Sequence, residues 1–358
     1  MKKLKVGILG ATGMIGQRFI QLLENHPWFE VTIVAASPQS SGKRYENAVL
    51  NRWKMDIPIP THVKKLIVKS VEGDIESIVK QIDFVFSCLD MDKEDIKRIE
   101  ETYAFLNVPV VSNNSAHRWT KDVPMIMPEI NPRQLELIDI QRKNRGWNKG
   151  FIAVKPNCSI QSYVSILTAL KKFKPLKVQV VSMQAISGAG KTFDSWPEMV
   201  DNVIPLIVGE EEKSENEPLK IWGNITNDKL LIAKSPNISV VCVRIPVSNG
   251  HMASVSVSFK IKPSRHQILD AIKRFKNPIA ELHLPSAPKE FIHYFSEENR
   301  PQTNIDRDMG HGMEITMGRL HEDKHFDWKF VALSHNTIRG AAGGAILMAE
   351  LLVKKGYI

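Results

Sequence analysis

A glycine-spaced turn between an apolar strand and an amphipathic helix, Gly10-Ala-Thr-Gly13-Met-Ile-Gly16, constrains the fold of this chain more than any other stretch. The run Lys5 to Leu9 ahead of it reads as a short buried strand. Behind it Ile15, Phe19, Leu22 and Leu23 recur at helical spacing from about Met14 to Asn25. Strand, glycine turn and helix in that order open a parallel α/β sheet. The glycines let backbone approach a pyrophosphate, whose charge rests on the free N–H groups of the helix start. The spacing G-x-x-G-x-x-G is one residue off the commoner G-x-G-x-x-G, so the context carries the assignment more than the string does. Gly10, Thr12, Gly13, Met14, Ile15 and Gly16 are therefore expected to cradle a dinucleotide.

The next strand, Val31 to Ala35, ends without the Asp or Glu that bonds a ribose 2′-hydroxyl in NAD sites. Ser37, Ser40, Ser41, Lys43 and Arg44 stand there instead. Hydroxyls and cations suit a 2′-phosphate, so NADP is favoured over NAD. Further strands are expected at Val63–Val68, Asp83–Ser87, Val108–Ser112 and Phe151–Val154, and helices at Ile75–Gln81, Lys93–Leu106 and Pro132–Asn144. Ligands of such sheets bind at the carboxyl ends of the strands, which puts Ser87 beside the cofactor. Arg118, in the polar loop after Asn113, is either an anion clamp or a solvated surface residue.

With 358 residues the chain suffices for two domains. No apolar run reaches membrane-spanning length, and Met1-Lys2-Lys3 leads directly into the first strand with no signal-peptide pattern. Cys88, Cys158 and Cys242 are too few for a disulfide framework and fit a reducing cytoplasm. No Cys/His spacing suggests a metal. The net charge of +9 is spread along the chain without a basic tail, which argues against nucleic-acid binding and leaves anionic small molecules as the partners it would favour.

The reactive candidate is Cys158, in Lys155-Pro-Asn-Cys-Ser-Ile160. Pro156 ends the preceding strand. Ile160, Tyr163, Val164, Leu167 and Leu170 then mark a helix from about Ser159 to Phe173, so Cys158 sits at its start, where free N–H groups and the helix dipole favour a thiolate. The competing reading is a small buried thiol, the reading given to Cys88 and Cys242.

Beyond that helix, strands follow strands without long crossovers, which reads as an antiparallel sheet. Val178–Ala185 carries Gln184 and ends in the turn Ser187-Gly188-Ala189-Gly190. Ser239–Val247 carries Arg244 on the same face as Cys242, where a guanidinium needs an anionic partner. His251 follows at what reads as a hairpin tip before a return strand, Ser254–Ile261. Arg300–Gln302 and Met313–Arg319 read as further sheet. The charged run Glu210–Lys220 has the pattern of a solvated face, with Glu217 and Lys220 three residues apart. The tail from Ser334, rich in small residues, reads as a helix crossing back to the first domain.

The ordered set Gly-Ala-Thr-Gly, Ser-Asn-Asn-Ser, Pro-Asn-Cys-Ser, Gln-Ala-Ile-Ser-Gly-Ala-Gly, Gly-His and Asn-Thr-Ile-Arg-Gly-Ala-Ala-Gly resembles the aspartate-β-semialdehyde dehydrogenases of the archaeal and fungal type nearly end to end. The resemblance implies a Rossmann-like NADP-binding domain, residues 1–157 completed by a C-terminal helix 337–358, and an α+β catalytic and dimerisation domain, 158–336, with a mainly antiparallel sheet. It implies a homodimer or homotetramer. It also implies NADPH-dependent reduction of L-aspartyl-4-phosphate through a thioester on Cys158, with His251 as acid/base and Gln184 positioning substrate or water. Arg244 would grip the substrate α-carboxylate, Glu217 its ammonium, and Lys220 and Arg118 its phosphate, beside Asn157. Ser187, Gly188, Gly190 and Asn336 would lie along the nicotinamide. Malonyl- or succinyl-CoA reduction shares the thioester chemistry but needs neither a phosphate pair nor an ammonium partner, so Glu217-x-x-Lys220 argues for the acyl phosphate.

Overall fold

In the computed structural model, which describes residues 2–358, most of the regular structure lies in two six-stranded sheets and the helices that flank them. The first sheet contains β1 (Leu4–Leu9), β2 (Phe29–Ala36), β3 (Lys69–Ser70), β4 (Phe84–Ser87), β5 (Val110–Ser112) and β6 (Ile152–Val154). All are parallel, in the order 3-2-1-4-5-6. That is the doubly wound order, with its crevice where the strand order reverses at β1. Alternate residues of β1 feed the cores on its two faces: Val6 and Ile8 pack with Phe19 and Phe86, and Leu9 with Ile33 and Val85.

The glycine turn is dictated by crowding. Gly10 has φ 88°, and a Cβ on it would stand 2.4 Å from the Cys88 carbonyl oxygen. A Cβ on Gly16 would stand 2.4 Å from the carbonyl oxygen of Gly10. The helix Met14–Leu23 can start this close to the strands only with hydrogen at both positions.

The second sheet contains β7 (Pro175–Gln184) and, after the small hairpin of β8 (Asn224–Thr226) and β9 (Lys229–Leu231), β10 (Asn237–Arg244), β11 (His251–Phe259), β12 (Ile292–Tyr294), β13 (Ile315–Glu322) and β14 (Trp328–Ser334), in the order 10-7-11-14-13-12. Three of its pairings are antiparallel, but β10–β7 and β12–β13 are parallel, so the sheet is mixed. The reason is the helix Glu210–Ile221, which lies between β7 and β10 in the chain and supplies the crossover that parallel neighbours require. β10 and β11 consequently do not form a hairpin: they flank β7 on opposite sides. His251 opens β11 and is not a hairpin tip.

Two other expected strands are replaced. Thr61–Lys64 is one helical turn begun at Pro60, and the extended piece after it, Leu66–Val68, pairs with residues 42–45 and not with the sheet. Arg300–Gln302 is a loop: Pro301 has no N–H for a ladder, and Arg300 turns its guanidinium to Asp306. The C-terminal helix Ala342–Lys354 does cross back. It packs on the helix Met14–Leu23 and on β5, buried along its whole length to Leu352.

A buried ion pair locks this return. Arg339, in the turn before the C-terminal helix, donates to both carboxylate oxygens of Glu129 at 2.6 and 2.7 Å, and its guanidinium lies 5.0 Å from the Phe291 ring centroid. Neither partner reaches solvent. Glu129→Gln should therefore lower the stability by about 3–5 kcal/mol, because it strands a buried cation. Glu129→Gln with Arg339→Met should recover part of that loss. Urea melts of both variants check this, and an unshifted single-variant melt would contradict it.

Candidate active site

Cys158 stands between β6 and the helix Gln161–Ala169, three residues ahead of the first helical residue. The turn is built by Asn157. Its Oδ1 accepts the Ser159 N–H at 2.8 Å, its own N–H donates to Glu217 Oε2 at 2.6 Å, and its Nδ2 donates to both oxygens of Glu210. The N–H groups of Cys158, Ile160 and Gln161 take no partner among the described residues, so they are available to an oxyanion. Cys158 keeps a partial opening to solvent. Burial is nevertheless the dominant influence on its thiol, pushing it up to about 11, and the Glu210 carboxylate adds to that; Lys155, Arg118 and Arg244 pull the other way. The expectation of a readily formed thiolate is thus corrected. Dense surroundings outweigh the helix start in the free protein.

The charged run Glu210–Lys220 is a helix whose inner face is polar and buried. Glu210, Ser214 and Glu217, spaced four and three, line that face. Glu217 has both oxygens engaged, one by Arg118 Nη1 at 2.9 Å and one by the Asn157 N–H. Arg118 also donates through Nε to the Lys155 carbonyl at 3.0 Å. Lys220 aims its ammonium at backbone carbonyls, those of Arg118, Val123 at 3.0 Å and Thr120 at 3.4 Å. Burial lowers Lys220 to about 8, against the opposing pull of Glu217 and Asp122. In this arrangement Lys220 orders the segment that presents Arg118.

The end of β7, the segment after β10 and the start of β11 meet at the turn after β7. His251 Nδ1 accepts the Ala185 N–H at 3.1 Å. A ring nitrogen that accepts carries no proton, so neutral His251 holds its hydrogen on Nε2. Nε2 is buried and unpartnered among the described residues. Burial, and then the charge of Arg244, lower His251 to about 3, so the ring is neutral at pH 7. The Arg244 guanidinium donates to the Ala185 carbonyl at 2.7 Å and forms no ion pair with any described residue. A Cβ on Gly188 would stand 2.8 Å from Arg244 Nη1 and 3.1 Å from His251 Nε2, so the glycine leaves the space that these two groups border. Gln184 reaches Ser182 Oγ at 3.3 Å and Glu210 Oε2 at 3.5 Å. Asn336 joins the pieces, donating to Ser187 Oγ and accepting the Gly250 N–H, each at 2.8 Å.

At the cofactor end, the N–H groups of Met14, Ile15 and Gly16 take no backbone partner among the described residues, and the N-cap is Gly13 with no side-chain acceptor. That is the donor set a pyrophosphate needs. Ser37, Lys43 and Arg44 are exposed at the end of β2, Ser41 is half-buried, and Ser40 is buried with its N–H on the Ser37 carbonyl at 3.0 Å; no carboxylate stands among them. Ser87 accepts from Asn114 Nδ2 at 2.9 Å, next to the buried Glu100. The residues present therefore fit an NADP dinucleotide.

Residues 5–138 match the model of the semialdehyde dehydrogenase NAD binding domain, and residues 167–339 that of the semialdehyde dehydrogenase dimerisation domain. The aspartate-semialdehyde dehydrogenase of Archaeoglobus fulgidus is 42% identical over 99% of both chains, and that of Aspergillus fumigatus 41% identical over 99% of both. A crystal structure of the Candida albicans aspartate-semialdehyde dehydrogenase with NADP superposes with a TM-score of 0.87 at 35% identity, covering both chains completely. The chain belongs to the aspartate-semialdehyde dehydrogenases. Family membership accounts for the two-sheet architecture and for the cofactor-shaped donor set just described.

The sequence reading passed over Glu210 and Lys155. Glu210 shares a helix face with Glu217, and the seven-residue spacing within the charged run was the available signal. Lys155 ends an apolar strand, yet is only 2% exposed.

Two buried neutral histidines make the fold acid-sensitive. His335, near Arg18 and Arg307, is lowered by burial to about 3, like His251. Below the ordinary value of 6.5 the unfolded chain binds protons that the folded protein refuses. Stability should therefore fall as pH drops from about 6.5 toward 3, by up to about 1.4 kcal/mol per pH unit for each histidine. Urea midpoints at pH 7 and pH 5 measure it; equal midpoints would contradict the assignment.

Proposed function

We propose that the protein reduces L-aspartyl-4-phosphate to L-aspartate 4-semialdehyde and phosphate, reversibly, in the biosynthesis of lysine, threonine and methionine. The observation that carries this reading is the Arg244 guanidinium. It is buried beside the Gly188 space with a single carbonyl partner, as a group waiting for a carboxylate would be. NADPH, when bound, supplies hydride to the acyl carbon.

The protein's own groups do the rest. Cys158 Sγ attacks the acyl carbon and phosphate departs, which converts the acyl phosphate into a thioester on the enzyme. Arg118 offsets the charge of the departing phosphate, and Lys220 holds the segment that presents it. The unpartnered N–H groups of Cys158, Ile160 and Gln161 suit the oxygen as it becomes an oxyanion; losing one such donor costs about 2.7–4 kcal/mol in a reference enzyme. His251 Nε2–H donates to that oxygen and takes the proton back as the tetrahedral adduct collapses, a role worth ~10²–10⁴-fold in rate. Gln184 positions the acyl group. Glu217 supports the substrate end through Arg118 and Asn157, and Glu210 adds a second carboxylate within reach of the α-ammonium. Residues 1–157 with 337–358 form the cofactor unit and 158–336 the catalytic unit.

The protein works in the cytoplasm as a homodimer or homotetramer. Among the described residues no helix is long and apolar enough to cross a membrane. One face of the second sheet leaves Leu176, Val181 and Val241 exposed, which suits a two-fold interface.

NADPH oxidation with aspartyl phosphate should exceed that with malonyl-CoA by orders of magnitude, and Cys158→Ser should abolish it. Faster turnover of malonyl-CoA would refute the proposed substrate. Arg244→Lys should raise KM about tenfold or more, since a lysine cannot make the paired contact to a carboxylate. Lys43→Ala should narrow the preference for NADPH over NADH, and an unchanged ratio would count against a 2′-phosphate site at the end of β2.

A further inference from the structure

Backbone bonds fix only the start of the glycine turn, where the Gly10 and Ala11 N–H groups both donate to the Ala35 carbonyl, at 2.9 and 3.0 Å. The next two peptide planes carry the carbonyls of Ala11 and Thr12, which take no backbone donor among the described residues. Side chains take them instead. The Tyr45 hydroxyl donates to the Ala11 carbonyl at 2.8 Å, and Gln17 Nε2 donates to the Thr12 carbonyl at 3.0 Å. Neither side chain is on the surface: Tyr45 is 0% exposed and Gln17 1%.

A trans peptide carries its C=O and N–H on opposite sides, and the Ala11–Thr12 bond is trans. Its carbonyl is held toward the buried Tyr45, so the Thr12 N–H is turned the other way, to the open side of the turn where Gly13 is exposed. That N–H takes no partner among the described residues. It therefore joins the free N–H groups of Met14, Ile15 and Gly16 as a further donor for an anion.

The same two side chains tie the turn to the chain that leaves β2. Gln17 Nε2 also donates to the Arg52 carbonyl at 2.9 Å, and its Oε1 accepts the Lys54 N–H at 2.7 Å. Tyr45 directly follows Lys43 and Arg44, with its own N–H on the Leu66 carbonyl at 2.8 Å and its ring edge-on to Trp53, the centroids 6.4 Å apart. Residues 45–54 thus back the glycine turn at two points, starting from the cations expected to meet the 2′-phosphate.

We propose that Tyr45 and Gln17 are positioning residues for the dinucleotide: they grip the Ala11 and Thr12 carbonyls from behind and so hold the Thr12 N–H toward the pyrophosphate. Neither touches the cofactor. Both act through the backbone of the turn, and Tyr45 joins that turn to the 2′-phosphate loop. The proposal rests on residues 10–16 taking the pyrophosphate.

Isothermal titration calorimetry of the full-length protein with NADP⁺ and with adenosine 2′-monophosphate tests this. Tyr45→Phe removes one hydroxyl and keeps the ring. Its Kd for NADP⁺ should rise about three- to tenfold, the range expected for one lost hydrogen bond. Gln17→Met should weaken NADP⁺ in the same sense. Adenosine 2′-monophosphate has no pyrophosphate, so both variants should bind it as the wild type does. A purely structural role would move the two ligands together or neither. Folded variants with wild-type affinity for NADP⁺ overturn the proposal, as does an equal loss for both ligands. If the variants do not fold, the Thr12 amide is followed by NMR in wild-type protein labelled with ¹⁵N-threonine. NADP⁺ should shift that amide and adenosine 2′-monophosphate should not; an amide that NADP⁺ leaves in place overturns the proposal. Wild-type protein that binds neither ligand would refute the cofactor site itself, and the proposal with it.

Discussion

Glu217 has no contact with solvent, so each of its oxygens needs a donor from the protein. One donor is Arg118, from the loop after β5; the other is the backbone N–H of Asn157, one residue before Cys158. A single carboxylate on a helix of the second unit therefore fixes a loop of the first unit and the turn that carries Cys158. Lys220, one helical turn further on, fixes the same loop from behind through its carbonyls. Removing either Glu217 or Arg118 would strand a buried charge, so the geometry at Cys158 cannot relax without a large loss elsewhere.

Enclosure then sets the protonation states. The burial that raises the Cys158 thiol also lowers His251 and Lys155, so the resting site favours their neutral forms and keeps its charge on the arginines, Lys220 and the paired carboxylates. In such surroundings an arriving anion is not screened. Arg244, bound to one carbonyl, keeps most of its charge uncompensated, whereas Arg118 shares its charge with Glu217.

The first half of the fold was legible because its signals are local. Gly10 and Gly16 are dictated by contacts within a strand-turn-helix, and the alternation of buried strands and amphipathic helices follows directly. The parts that misled are those decided by distant partners. Whether Val63–Val68 joins a sheet depends on which backbone lies beside it, and residues 42–45 claim its end. Whether β11 pairs with β10 or with β7 depends on the crossover helix, whose charged sequence reads as solvated because its buried face is polar. In the site, motifs single out Cys158, His251, Gln184 and Arg244 as candidates but do not give their surroundings. The protonation of Cys158 was not, because the influences that raise it, burial and Glu210, are assembled by tertiary packing.

That polar face illustrates a general limit of hydrophobic periodicity. Glu210, Ser214 and Glu217 repeat at helical spacing as leucines in a core helix would, yet Ser214 and Glu217 are buried and Glu210 half-buried among Asn157, Ser159, Tyr163 and Arg118 through hydrogen bonds. A helix that lines a charged pocket must be polar inward. Its outward face is also polar, so amphipathicity vanishes from the sequence. What survives is chemical unevenness: acidic residues three, four and seven apart, with Pro218 and Leu219 between Glu217 and Lys220 marking where the solvated turn ends. In an α/β enzyme whose nucleophile turn is built from backbone N–H groups, such a run is better read as the wall of the site, because those N–H groups need carboxylates nearby to hold the turn in place.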